Sequence, residues 1–513
     1  MNPDDRLKST GVTMDHVRKF LWLQELQNEN ETLFYKLVLE NIEEMAPIIY
    51  TPTVGWFCKN FSRTFKRPRG MFLSAANRGR IAALLANWLH KDVDAIVVTD
   101  GSRILGLGDL GIGGMGISIG KMNLYVAAGG FDPGRIMPVV LDVGTDNEQL
   151  RRDPYYLGLR SPRLDGEPYQ ALLDEFIVVV TRMWPRVLVQ FEDFQFKHAT
   201  TLLKRYREEF LVFNDDIQGT AVIVLAGLLG ALRLQERQGS SLADHRFVIV
   251  GSGAAGQGII FLLTEYLKRR GLSEEQALER IFVVGRDGLI TRNTSKDQSF
   301  AHFARPEVEL DQLPLVEVIR KFKPTALIGV TGQQGLFTAE VLAQMREQAP
   351  GNVPIIFPLS NPTANSECTA EEAFRHAGGA AIFGSGSPFA NVTLEGVVHR
   401  TNLTNNVYVY PGLAFGASLG QTRLISDSML ITAAEALAEM LTDEDVQNRA
   451  LFPSLRNIRQ ISVHIAARVI EQAHADGHLG CETARQFLEK SFEDLKAYVA
   501  RSQWSPSYRN VLC

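Results

Sequence analysis

A chain of 513 residues exceeds what one hydrophobic core organises, and at roughly 150 residues per domain it implies about three units. Its 45% hydrophobic and 22% charged residues are ordinary globular values, which excludes a disordered or fibrous chain. A formal charge of -5, from 53 basic and 58 acidic residues, gives no long-range attraction to nucleic acid or anionic lipid, so a small-molecule partner is expected, with no nucleic acid and no membrane.

The start, Met1 to Thr10, is polar, with neither an apolar signal core nor an Arg/Ser-rich transit pattern. It points to the cytoplasm, or to the mitochondrial matrix if a leader was removed. Cys58, Cys368, Cys481 and Cys513 are scattered without a Cys-x-x-Cys pair, which argues against a zinc site and for a reducing compartment. From Met14 to Met45 apolar residues such as Val17, Phe20, Leu33 and Val38 recur at helical spacing without Gly or Pro, predicting a helical N-terminal region, 1–68. Pro47 and Pro52 in IIYTPTVG read as a loop that breaks it.

AIVVTDGSRILGLG places two apolar runs around Asp100-Gly101, the signature of an antiparallel hairpin. A flexible glycine-rich loop is expected from Gly106 to Gly120, with Lys121 at its end, then strand-like runs in MPVVLDVG, VLVQFEDF and LVFNDDIQGT. These pieces make a mixed α/β domain, 69–215 with 405–470. The run Ala221 to Leu232 is about a dozen residues, short of the ~20 that span a bilayer, and reads as a buried helix. Beyond it FVIVGS, RIFVVG, ALIGVTG, PIIFPLS and AIFGSGS alternate with helical stretches. That alternation predicts an α/β, doubly wound parallel sheet over 216–404, followed by a helical C-terminal region, 471–513.

Three stretches spell Gly-x-Gly-x-x-Gly, beginning at Gly106, Gly111 and Gly251. Only Gly251, Ser252, Gly253, Ala254, Ala255, Gly256 follows a buried strand and opens a helix, so only there can backbone N–H groups at a helix N-terminus meet a pyrophosphate. The next strand ends in Gly285-Arg286, where NAD-binding folds usually carry an acid for the ribose 2′-hydroxyl. An arginine there favours NADP over NAD; a solvated arginine beside Asp287 is the competing reading. Glu192-Asp193 and Asp215-Asp216 each end an apolar run, and such paired acids suit Mg²⁺ or Mn²⁺, although Asp216 can also be a helix cap. Lys121, beside a bound cation and a cationic nicotinamide, would have its ammonium disfavoured and serve as a base; alone it reads as an exposed charge. Arg103 can clamp a carboxylate or merely be a solvated turn residue. Tyr50 can donate a proton or simply pack.

YTPTVG, TDGSRILGLGDLG, GKMNLYVAAGG, LDVGTDNE, QFEDF, FNDDIQGTA, LSNPT and GSGSPF occur in the order seen in malic enzymes, and from about Leu23 to Val469 the chain closely resembles that family. The resemblance implies oxidative decarboxylation of malate to pyruvate and CO₂ with a nicotinamide cofactor and a divalent metal, in a homo-oligomer, dimer or tetramer. It implies Tyr50 as general acid, Lys121 as general base and Arg103 on the malate carboxylate. Glu192, Asp193 and Asp216 would be metal ligands, with Asp215 tuning them. Asn361, Asn405 and Asn406 would bind substrate, Asn361 also facing the cofactor. Two alternatives stay open: a malolactic enzyme, which returns the hydride and yields lactate, and a nucleotide-binding sensor without turnover.

Overall fold

The structure, a computed structural model, describes residues 12–235, 241–293, 301–349, 351 and 353–508. The polar start Met1 to Thr10 and Cys513 lie outside the described residues. The chain divides into two compact units, one made of Met1–Asp215, Tyr410–Met429 and Leu455–Cys513, the other of Asp216–Val409 and Leu430–Ser454.

The first unit begins with helices α1 (Met14–Glu29), α2 (Glu31–Glu40), α3 (Ile42–Ile49) and α4 (Thr53–Thr64). The expected loop around Pro47 and Pro52 is corrected here: Pro47 lies inside α3, and α4 starts immediately beyond Pro52. Pro52, as the N-cap of α4, has no intrahelical N–H bond to lose, whereas Pro47, the sixth of eight residues in α3, forgoes one near the end of a short helix. Val54, Phe57, Cys58 and Phe61 then bury one face of α4.

Five strands come next: β1 (Met71–Ser74), β2 (Ala95–Thr99), β3 (Ile136–Asp142), β4 (Leu188–Phe191) and β5 (Val212–Asn214). They form one parallel sheet in the order β1-β3-β2-β4-β5. The antiparallel hairpin at Asp100-Gly101 is therefore overturned. β2 is buried along its whole length and lies between β3 and β4, so its continuous apolar run marks a central parallel strand. The Asp100 carboxylate instead accepts the Ser102 N–H at 2.9 Å, an Asx turn that sends the chain away from the sheet. Gly101 takes φ +70°, and a Cβ there would fall 1.9 Å from the Gly111 carbonyl oxygen.

The expected flexible loop is corrected too. Helix α5 runs Met115–Leu124 with every residue buried, Lys121 among them. Its glycines are there for close approach: a Cβ on Gly116 would lie 2.7 Å from Cys58 Sγ. Helix α6 (Tyr410–Leu419) packs on α7 (Ile458–Ala475) in the same way, since a Cβ on Gly416 would come within 2.7 Å of the Ala466 carbonyl oxygen.

The second unit holds β6 (Phe247–Val250), β7 (Ile281–Gly285), β8 (Gly288–Leu289), β9 (Ala326–Gly329), β10 (Ile355–Pro358), β11 (Ile382–Ser385) and β14 (Asn402–Leu403), with a separate β12–β13 hairpin (Val392–Leu394, Val397–His399). The sheet order is β14-β11-β10-β9-β6-β7-β8, parallel except for β8. The chain winds outward from β6 in both directions, so the strand order reverses between β6 and β9, where ligands of doubly wound sheets bind. The apolar helical run Asp215–Leu234 is 20 residues long, more than the dozen expected, but 78% of its most apolar window is buried, as a core helix requires.

Candidate functional site

β4 and β5 are in register, Phe191 opposite Asn214, so the next residues along each strand, Glu192 and Asp215, leave the sheet side by side at its carboxyl edge. Two neighbouring carboxylates repel unless a cation stands with them. Lys121, projecting from α5, is that cation: its Nζ lies 3.0 Å from Glu192 Oε1 and donates to Asp215. All three side chains are at most 3% exposed. Burial works to lower the Lys121 pKa, but the charges of Asp215 and Glu192 outweigh it and hold the ammonium well above its ordinary value. With two anions facing it Lys121 rests as an ammonium; the neutral amine expected for it belongs to the state with a cation and a nicotinamide bound, whose charges oppose those anions.

Two phenols complete the cluster. The Lys121 ammonium stands 5.2 Å from the Tyr50 ring centre and 4.5 Å from that of Tyr410, distances at which a ring face attracts a cation. Tyr50 closes α3 as its C-terminal cap. Burial pushes both phenols above their ordinary pKa while Lys121 pulls them back, so each keeps its proton at neutral pH. Behind them Tyr125 donates to the Gln190 side-chain oxygen, and Gln190 donates at 2.8 Å to Glu192 Oε2.

Asp193 adopts φ +56°, left-handed backbone that Asp tolerates better than most residues. Its carbonyl accepts the Arg103 N–H at 3.2 Å and its carboxylate the Leu105 N–H at 2.9 Å. The exposed Arg103 side chain is therefore carried on a turn fastened to Asp193. Arg163, nearly buried, secures the far side of that loop. Its guanidinium donates to the Asp109 carboxylate at 2.7 and 2.9 Å and to the Asp100 carbonyl at 2.9 and 3.0 Å. Asp216, one peptide bond beyond Asp215, opens the second unit.

Within that unit the fingerprint glycines have distinct tasks. Gly251 takes φ +119°, and a Cβ on Gly256 would strike the Gly251 carbonyl oxygen at 2.0 Å, whereas one on Gly253 meets nothing within 4 Å. The first makes the turn, the third seats helix α8 (Ala254–Arg269), and the second leaves backbone open to a ligand. No side chain caps the N-terminus of α8, so the N–H groups of Ala254, Ala255 and Gly256 point toward the loop of Gly251, Ser252 and Gly253 as an anion site does. Arg286 occupies the two-residue turn between β7 and β8, is exposed, and makes no ion pair among the described residues. Ser387 donates to Asn361 Oδ1. Asn405 donates to the Gly386 carbonyl at 3.3 Å and caps Val407, while Asn406 donates to Thr220 Oγ1 at 3.2 Å.

The first unit thus gathers Tyr50, Lys121, Glu192 and Asp193, with Arg103 on an adjoining turn; the second holds Asp216, the glycine loop, Arg286 and the three asparagines. Gln190 and Tyr410 also belong to the cluster, although nothing in the spelling of the motifs around them marks a role. Arg163 gives no signal in the sequence, because its partners are 54 and 63 residues away.

The chain matches the family models described as malic enzyme, NAD binding domain, over residues 217–474 and malic enzyme, N-terminal domain, over residues 27–207. It is 46% identical over 498 residues to NAD-dependent malic enzyme 2, mitochondrial, of Arabidopsis thaliana, covering 96% of this chain and 82% of that one. It is 45% identical to NADP-dependent malic enzyme 4, chloroplastic, of the same plant, covering 96% and 75%. Among solved structures, Entamoeba histolytica malic enzyme shares the fold with a TM-score of 0.62 at 22% identity, covering 93% of this chain and 88% of that one.

Proposed function

The chain belongs to the malic enzyme family, whose members convert malate to pyruvate and CO₂ with NAD or NADP, and we propose that in this chain Lys121 is the general base and Tyr50 the general acid of that reaction. One observation carries the assignment: a buried lysine lies 3.0 Å from Glu192 and 5.2 Å from the Tyr50 ring centre, at the carboxyl edge of a parallel sheet.

Glu192, Asp193 and Asp216 would hold Mg²⁺ or Mn²⁺, for which three hard carboxylate donors are a fitting set. When bound, the cation supplies a Lewis acid that polarises the C2 oxygen and offsets the negative charge left as CO₂ departs. Its positive charge would also answer Glu192, weakening the carboxylates' hold on the Lys121 proton. Arg103 and the asparagines Asn361, Asn405 and Asn406 orient malate. Lys121 would take the C2 hydroxyl proton, the bound nicotinamide supplying the acceptor for the C2 hydride. Tyr50, which keeps its phenol proton at neutral pH, would then deliver that proton to C3 of the enolate left by loss of CO₂, giving pyruvate. Gly251–Gly256 at the N-terminus of α8 would hold the dinucleotide through backbone N–H groups.

NADP is the preferred cofactor in this reading, because the exposed guanidinium of Arg286 follows β7 where a ribose-binding acid would otherwise stand. The test is a spectrophotometric assay of malate with NADP and with NAD, with and without Mn²⁺, and with product identified. Pyruvate formed only with metal and faster with NADP is expected; lactate, or metal-independent turnover, overturns the assignment.

A further inference from the structure

We infer that Glu367 is a positioning residue for the dinucleotide and for Asn361: its single carboxylate fixes the loops that leave β9 and β10. The inference rests on the reading of the Gly251 loop and Asn361 as cofactor and substrate contacts. Glu367 is 0% exposed and has no cationic partner among the described residues. A buried carboxylate persists in that setting only when hydrogen bonds replace its water. Four do. Oε1 accepts the Thr331 N–H at 2.9 Å, the Thr331 hydroxyl at 2.8 Å and the Ser360 hydroxyl, and Oε2 accepts the Ser360 N–H at 3.3 Å.

Every donor lies on one of two segments. Thr331 follows β9, and Ser360, next to Asn361, follows β10. Ser360 carries the bracing further, since its oxygen also accepts the Gly332 N–H at 2.8 Å, while the Thr331 oxygen accepts the Gln333 N–H at 3.0 Å. The fold makes room for the carboxylate: a Cβ on Gly329 would lie 2.6 Å from Glu367 Cδ. The β9 segment in turn supports the fingerprint turn, because Val330 donates to the Val250 carbonyl at 2.9 Å and its own carbonyl oxygen would lie 2.7 Å from a Cβ on Gly251. A hydrophobic side chain of the same volume would fill this space but could not set four donors. The charge therefore serves the geometry of the loops beside the strand-order reversal, where ligand-facing backbone must be held to a fraction of an ångström.

Glu367→Gln keeps the shape but turns one acceptor into a donor facing donors, and Ser360→Ala removes one of the two braced groups while leaving the carboxylate. The experiment measures NADPH and NADH binding by nicotinamide fluorescence, malate KM and kcat, Mn²⁺ affinity and melting temperature for wild type, E367Q, S360A and the double variant. E367Q is expected to weaken cofactor binding and raise malate KM by roughly tenfold or more while Mn²⁺ affinity holds, and S360A to do so less, with effects that do not add in the double variant. A lower melting temperature with unchanged cofactor affinity and KM in E367Q would mean a purely structural role and overturn the inference. If E367Q does not fold, S360A decides by the same readouts, unchanged values overturning it. Wild type that binds neither cofactor would instead refute the underlying site reading.

Discussion

In the first unit the proposed acid and base groups are buried around one ammonium: Lys121 meets Glu192 and Asp215 with no side chain of the three more than 3% exposed, and the phenols of Tyr50 and Tyr410 cover it. In the second unit most of the proposed ligand-facing groups are neutral, namely backbone N–H groups, the asparagines and a glycine whose Cβ would meet nothing, with Asp216 and the exposed Arg286 as the charged ones. Glu367, buried in the same unit, faces loop donors and no cation among the described residues. In the proposed reading one unit would move protons and so need charges whose affinities depend on one another, while the other would hold a large polyanion and need donors that do not move. Both tasks fall at the carboxyl edge of a parallel sheet, and the difference lies in the residues just beyond the strand ends.

The contrast is most directly broken at Lys121. Lys121→Ala leaves Glu192 and Asp215 buried side by side without their cation, a loss on the order of 3–5 kcal/mol in stability. It should also remove base catalysis, roughly 10²- to 10⁴-fold in kcat for malate oxidation. Cofactor affinity, set in the other unit, should stay near wild type. Melting curves, kcat and NADPH fluorescence titration read all three, and retention of full kcat would end the base assignment.

Asp193 sharpens the comparison because it has two tasks. Asp193→Ala should weaken Mn²⁺ binding by about 10-fold or more and also loosen the turn that carries Arg103, because it removes the acceptor of the Leu105 N–H held at 2.9 Å. Asp216→Asn should share the metal defect only. Malate KM measured at saturating Mn²⁺ separates them: it should stay raised in the Asp193 variant and recover in the Asp216 variant. Equal recovery would show that the brace to Arg103 is idle.

Legibility in the sequence divides along the same line. The strand-glycine-helix pattern at Gly251 is local, so six adjacent residues display the turn, the opening and the helix start, and the strand alternation yields the second sheet. The ionic cluster joins Tyr50, Lys121, Glu192 and Asp215, which are far apart along the chain, and only family resemblance brings them together. Local rules mislead where tertiary packing decides. Asp100-Gly101 has hairpin chemistry, but β2 is buried on both faces and its neighbours β3 and β4 are parallel. Glycines at 113, 114, 116 and 120 look like a flexible loop, yet they admit close contacts to α4 and to the β2 edge. The cations expected near Lys121 are one side of its electrostatic balance, and the two carboxylates that face it, brought from strand ends far along the chain, are the other.

Arg163 offers a gentler break within the first unit. Arg163→Met keeps the length of the side chain but frees Asp109 and the Asp100 carbonyl, so the Arg103 loop should loosen and malate KM rise about tenfold with cofactor affinity unaltered. Burial pushes the Asp109 carboxyl up, but the hydrogen bonds and charge of Arg163 outweigh it and hold the pKa below its ordinary value. A lowered carboxyl contributes stability above its unfolded pKa, near ~4, and loses it as pH falls through the folded value. Wild type should therefore shed this contribution on acidification, and the variant should show a flatter acid limb in its melting temperature. An unchanged KM would show that the loop is held without Arg163.

The smallest expected effect lies in the second unit, at the exposed guanidinium of Arg286. Arg286 occupies the turn between β7 and β8 and is exposed, with no ion pair among the described residues, so its guanidinium is uncommitted and able to meet a 2′-phosphate with charge-assisted hydrogen bonds. Water and salt screen such a contact, which limits it to roughly 1 kcal/mol, about fivefold in cofactor preference. The relatives do not decide the matter, since the 46% identical Arabidopsis protein is named for NAD and the 45% identical one for NADP. Arg286→Ala should lower kcat/KM for NADP about fivefold and leave that for NAD unchanged. The gap between wild type and variant should be wider at low salt than at high salt, because screening removes the wild-type advantage. A wild type that favours NAD, or a variant with the same NADP-to-NAD ratio, would mean that the second unit reads its cofactor through backbone and neutral groups alone.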